Sequence, residues 1–157
     1  MNGLLSILAS TKVWFASLVF LLCVYYRSIQ LIYFTFGACC TAVVGKVLKR
    51  LLKQPRPYGQ KGYGMPSTHS QVMMFFACYS QYWQPESFEW AVLAMSVFAV
   101  LVAWSRVHLR YHTLAQVLVG SVIGGFLGLV WYRLWLWIDP LLHHYLDTLP
   151  LASRLFA

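Results

Sequence analysis

The chain has 157 residues, of which 60% are hydrophobic and only 10% charged, with a mean hydropathy of +0.62. That composition excludes an ordinary soluble domain, and the length suits a single domain over 1–157. Twelve Lys and Arg against four acids give a formal charge of +8. The basic residues are divided among short loops between apolar runs, so a phosphate-bearing ligand or anionic headgroups fit that charge better than nucleic acid.

Several apolar runs approach the roughly 20 residues a helix needs to cross a bilayer. The expected fold is therefore all-α, a polytopic membrane helical bundle of about five spans. The first covers 4–26 and reads as a retained span, since it lacks the basic start and cleavage site of a signal peptide. The second, 29–48, runs into the basic passage Lys49-Arg50-Leu51-Leu52-Lys53-Gln54-Pro55-Arg56-Pro57. Prolines and then Gly59, Gly62 and Gly64 predict a loop to residue 65. Pro66-Ser67-Thr68-His69 opens a third span, to about 83, with a hydroxyl N-cap. A turn at 84–87 leads to a fourth span over 88–104.

The polar stretch 105–116 follows, and a fifth span runs from about 112 through 130. Gly120, Gly124 and Gly128 recur every four residues there, a packing stripe that turns His112 toward protein. Trp131, Tyr132, Trp135 and Trp137 read as an interfacial belt. The tail after Asp139-Pro140 reads as a surface helix without catalytic residues, and its adjacent His143 and His144 as solvated. Cys23, Cys39, Cys40 and Cys78 lie in apolar runs with no CxxC pairing and read as small hydrophobes.

Consecutive spans alternate direction. The ends of spans two and four and the starts of spans three and five therefore share one membrane face. This brings together Lys49, Arg56, Ser67, Thr68, His69, Arg106 and His112. The arginines offer fork geometry suited to phosphate, and a helix N-terminus offers backbone donors. Two histidines titrating near neutrality can serve as nucleophile and acid. No carboxylate cluster or HxH arrangement accompanies them, so no metal or cofactor is expected.

These residues fall in three spaced motifs: Lys49 with Arg56-Pro57 after six residues, Pro66-Ser67-Thr68-His69, and Ser105-Arg106 with His112 after five. The pattern resembles the type 2 phosphatidic acid phosphatase superfamily of lipid phosphatases and haloperoxidases. The resemblance implies that His112 is a nucleophile forming a phosphohistidine and that His69 protonates the leaving group. It further implies that Lys49, Arg56, Ser67, Thr68 and Arg106 hold phosphate. Where the family usually has Asp, this chain has Gln116, whose amide oxygen can still accept from the imidazole four residues back.

The segments 52–57, 64–71 and 111–117 are similar to one subfamily, the dolichyl diphosphatases. That similarity implies hydrolysis of a dolichyl or polyprenyl diphosphate to the monophosphate and phosphate, recycling the carrier lipid of N-glycosylation. It also implies an endoplasmic reticulum membrane and a lumenal site, although basic residues on that face would point to the cytoplasm by the positive-inside rule. A broader lipid phosphate phosphatase and a catalytically silent membrane relative are the alternatives. Gln116 suggests a hypothesis about substrate: a departing phosphate ester leaves more readily than an alkoxide, so a less activated His112 would suffice.

Overall fold

In the computed structural model, the described residues are 28–83 and 89–147, together with positions 21 and 25. Apart from those two positions, the expected first span lies outside them, as do the turn at 84–87 and Cys23. The described chain forms helices α1 (Ile29–Leu52), α2 (Thr68–Tyr82), α3 (Glu89–His108) and α4 (Leu114–Asp147). A 3-10 turn at Pro57–Gly59 lies in the loop between α1 and α2.

Helices α1, α3 and α4 are long and apolar enough to cross a membrane. Their outward faces carry large apolar side chains such as Phe36, Val97, Val122 and Phe126, each more than half exposed. A face of that kind is stable only against lipid. Helix α2 differs: it has 15 residues, roughly 22 Å at 1.5 Å per residue, less than a hydrocarbon core. It packs against all three of the others, and Ser70, Gln71, Phe75 and Tyr79 on it are essentially inaccessible. Its neighbours supply the surroundings that lipid supplies to the others, which is why polar Ser70 and Gln71 are tolerated. Gln71 Nε2 donates to the Thr41 carbonyl of α1 at 3.0 Å, an interhelical tie of the kind that holds membrane bundles together.

The glycine stripe packs as expected. A methyl group at Gly120 would meet the Ser67 carbonyl, at Gly124 the Gln71 carbonyl, and at Gly128 the Phe75 carbonyl. Backbone thus lies on backbone along α2 and α4, fixing the depth at which the start of each helix meets the other. Gly124→Ala should destabilise the fold by about 3 kcal/mol, the upper range for overpacking. Thermal unfolding in detergent checks this, and an unchanged Tm would refute the close approach.

Four expectations shift. Helix α1 continues to Leu52 and ends at Lys53 in the left-handed region (φ 46°), so the loop starts later than residue 49. Ser67 sits at the N-cap of α2, but its side chain makes no capping bond. Its Oγ accepts from Ser70 Oγ at 3.0 Å instead. As far as Asp147 the tail is not a separate surface helix, because α4 runs unbroken through Pro140 to that residue; 148–157 lie outside the described residues. Nor do the aromatic residues form one belt. Trp131 and Trp135, one turn apart, both pack on Tyr33 with centroids at 5.0 Å, and Tyr132 packs on Tyr79 and Tyr82. Of the four, Trp137 is the one that points outward, at 79% exposure.

Candidate active site

The spacing between Arg106 and His112 has a local cause. At the end of α3, Arg110 adopts φ 58°. Its N–H donates to the Val107 carbonyl at 2.9 Å, and Tyr111 N–H donates to the Arg106 carbonyl at 3.1 Å. This pair of bonds around a left-handed residue is a Schellman closure, and it reverses the chain. His112 N–H returns to the same Arg106 carbonyl at 3.1 Å. The peptide that carries the guanidinium therefore anchors the imidazole. Arginine in that conformation is strained by about 1–2 kcal/mol. The loop between α1 and α2 braces it: the Arg110 guanidinium lies 5.0 Å from the Tyr58 ring centre, and its carbonyl accepts from Gln60 Nε2 at 3.3 Å.

The next step along the chain starts α4 with Thr113-Leu114-Ala115-Gln116, a reciprocal capping box. Gln116 N–H donates to Thr113 Oγ1, and Thr113 N–H donates to Gln116 Oε1, both at 3.3 Å. Gln116 Nε2 donates to the Pro55 carbonyl at 2.9 Å and to Gln54 Oε1 at 3.2 Å. Two backbone groups, one donor and one acceptor, thus fix which way round the buried amide lies. Its oxygen faces His112 Nδ1 at 3.1 Å. An acceptor there requires Nδ1 to carry the proton, which leaves the Nε2 lone pair bare. Gly64 makes room for the arrangement, since a methyl group on it would overlap the Gln116 amide.

Helix α1 and its loop contribute from the other side. Gly64 N–H donates to the Gln54 carbonyl at 2.7 Å, and Pro55 pairs with Tyr63. Within this narrow clasp Arg56 Nε donates to the Tyr63 carbonyl at 3.4 Å. Lys49, Arg56, Thr68, His69, Arg106 and His112 all line one cleft of about 390 Å³. Six of the seven residues that the alternation of spans assigns to one face therefore meet in this cleft. The seventh, Ser67, is fully buried behind the lining, and its N–H donates to the Gln116 carbonyl at 2.9 Å.

Arg106 is 3% exposed and lies 5.6 Å from the Tyr111 ring centre. His112 has its pKa lowered to about 4, first by burial, then by Lys49 and Arg56, against the opposing hydrogen bonds to Gln116 and Gly64. It is therefore neutral at physiological pH. His108, outside the pattern, stacks on Trp104 away from the cleft. Among the described residues no three His, Cys, Asp or Glu side chains converge, and no carboxylate lines the cleft. His143 Nδ1 lies 3.4 Å from Asp139 Oδ1 on the exposed side of α4.

The family profile of the PAP2 superfamily matches residues 58–139, the span that holds the second and third motifs. The chain belongs to the PAP2 superfamily. It is similar to Dolichyldiphosphatase 1 of Homo sapiens, with 34% identity over 71% of this chain and 55% of that protein. It is equally similar to Dolichyldiphosphatase 1 of Dictyostelium discoideum, over 73% and 56%. Lipid phosphate phosphatase gamma of Arabidopsis thaliana is 32% identical over 68% and 54%. The chain thus spans about half the length of the curated relatives it matches. The PAP2 fold is shared with the crystal structure of a transmembrane PAP2 type phosphatidylglycerolphosphate phosphatase from Bacillus subtilis. Its TM-score is 0.71 at 19% identity, covering 85% of this chain and 77% of the other.

Sequence reasoning passed over two residues of this PAP2 site. Lys46 lines the cleft, and its signal was a lysine one helical turn before Lys49 in an otherwise apolar run. Gln54 holds Gln116; it stands in the 52–57 segment similar to the dolichyl diphosphatases, but no sequence feature assigned it a role.

Proposed function

We propose that this protein is a lipid phosphatase that hydrolyses polyprenyl diphosphate, dolichyl diphosphate above all, to the lipid monophosphate and inorganic phosphate. The observation that carries the reading is the bare Nε2 of a neutral, oriented His112 in a cleft with cationic walls and no carboxylate. His112 Nε2 attacks the terminal phosphorus, forming a P–N bond while the bridging P–O bond breaks. His69 gives its proton to the departing oxygen. His69, now neutral, takes a proton from water, which attacks the phosphohistidine and releases phosphate with His112 restored. Lys49, Arg56 and Arg106 hold the equatorial oxygens, where charge accumulates in the transition state. The first-turn N–H groups of α2, the Thr68 backbone among them, add donors, and Ser67 supports that turn from behind, its Oγ held by the Ser70 hydroxyl.

The names of the similar proteins support a diphosphate substrate, and the likeness to a lipid phosphate phosphatase keeps a wider range of lipid phosphates as the second reading. The proposed location is the endoplasmic reticulum membrane with the cleft facing the lumen, where the enzyme would return carrier lipid used in N-glycosylation. The basic residues of that face are engaged with substrate phosphate and so carry little information on orientation.

The test is phosphate release from polyprenyl diphosphate, polyprenyl monophosphate and phosphatidate by purified protein in detergent, with and without EDTA. The diphosphate should be the best substrate and EDTA should leave the rate intact. Equal rates on all three would favour the wider reading, and no release from any would support a silent relative. The pH profile adds a check on the nucleophile. Only neutral His112 attacks, so its protonation should lower kcat/KM near pH 4, well below the pH 6.5 of an ordinary imidazole. A loss assigned to His112 at pH 6.5 would refute the burial argument.

A further inference from the structure

Lys46 is exposed on α1 between Val43 and Val47, which are about half exposed on the same helix. A charge on a lipid-facing apolar surface is unfavourable unless it meets a partner or a function. Lys46 nevertheless lines the cleft together with Lys49. The two are three residues apart and so neighbours on one helix face. Because α1 ends at the cleft, Lys46 lies about 4.5 Å deeper toward the bilayer interior than Lys49. It also lies next to Gly45, where a methyl group would come within 3.5 Å of the Thr68 side chain. That places it beside the start of α2, the helix that carries His69.

We propose that Lys46 forms a subsite for the second phosphate of a lipid diphosphate, the one that stays attached to the lipid. The inference rests on the diphosphate reading above and adds where its two phosphates sit. A substrate reaching the cleft from the bilayer has its tail on the membrane side, so its tail-proximal phosphate lies deeper than the terminal one. Lys49, Arg56 and Arg106 then surround the phosphate that is transferred, and Lys46 meets the phosphate that leaves, on the side of the acid His69. Negative charge grows on that leaving phosphate as the bridging bond breaks, and an ammonium there stabilises it. A lipid monophosphate presents nothing at this depth but its alcohol oxygen.

The discriminating experiment compares inhibition by methylenediphosphonate and by inorganic phosphate in detergent micelles free of anionic lipid. Lys46→Gln should raise the ratio of the two inhibition constants about tenfold, and Lys46→Arg should restore most of it. The turnover ratio of polyprenyl diphosphate to monophosphate should fall in parallel. If both inhibitors weaken equally, Lys46 acts only through the general field of the cleft. If neither changes and the loss appears only when anionic lipid is added, its partner is a headgroup. Either result overturns the subsite. Failure of the native protein to release phosphate from the diphosphate would instead overturn the substrate assignment, so the two failures are distinguishable.

Discussion

Phosphate release should fall by roughly 10⁴-fold or more in His112→Asn, the scale seen when an enzyme loses its nucleophile. Asparagine is the informative replacement because its side-chain amide can still donate to Gln116 Oε1, so the latch and the buried volume are largely kept. What disappears is the Nε2 lone pair. The loss should appear in kcat with little change in the inhibition constant for phosphate, since the cationic walls are untouched. The measurement is phosphate release at saturating polyprenyl diphosphate, alongside phosphate inhibition of the residual activity. A variant retaining a tenth of the native rate would remove His112 from the chemistry.

The second large effect is expected at Gln116, the position where the family usually carries a carboxylate. Gln116→Asp should lower activity about 100-fold, consistent with the loss of one well-placed orienting or acid–base interaction. Aspartate is one methylene shorter and has no hydrogens to offer, whereas the native amide donates to the Pro55 carbonyl and to Gln54 Oε1. Read from sequence, residue 116 has a missing charge and a hydrogen bond to the imidazole. The geometry adds that it is a two-sided latch between His112 and the loop that carries Arg56. Gln116→Glu separates these roles because it keeps the length. Its second oxygen would face the Pro55 carbonyl at the position now held by Nε2, two acceptors in contact. Protonating that carboxyl turns it back into a donor, so the ratio of variant to native activity should rise as pH falls. A ratio independent of pH would show that the Pro55 and Gln54 bonds are dispensable.

Much of the site was legible because its chemistry is concentrated at span ends. Polar residues at the ends of apolar runs, together with strict alternation of direction, place Lys49, His69, Arg106 and His112 on one face without any knowledge of packing. The capping box was also written in the sequence as Thr113-x-x-Gln116, although its link to His112 depends on Gln54 and Pro55, 62 and 61 residues before Gln116, and so is a tertiary fact. Helix α2 shows where composition misleads. Its hydropathy suggests a lipid-exposed span, but burial by three neighbours relieves it of that length and lets Gln71 sit in the core. The aromatic residues near 131–137 fail as a belt for the same reason: tryptophan suits an interface and a helix contact equally, and only Tyr33 across the bundle decides between them. Arg110 in a left-handed turn, a place that favours glycine, could not be foreseen either, since Tyr58 and Gln60 brace it from another loop.

The most direct test of the central claim is to trap the phosphorylated enzyme. Native protein mixed with terminally ³²P-labelled polyprenyl diphosphate and quenched in alkali within one turnover should carry label that is stable to base and released by acid, as a phosphoramidate is. Peptide mapping should place it on His112, and His112→Asn should carry none. Turnover of the native enzyme with no labelled protein at any quench time, or label on a residue other than His112, would contradict the account.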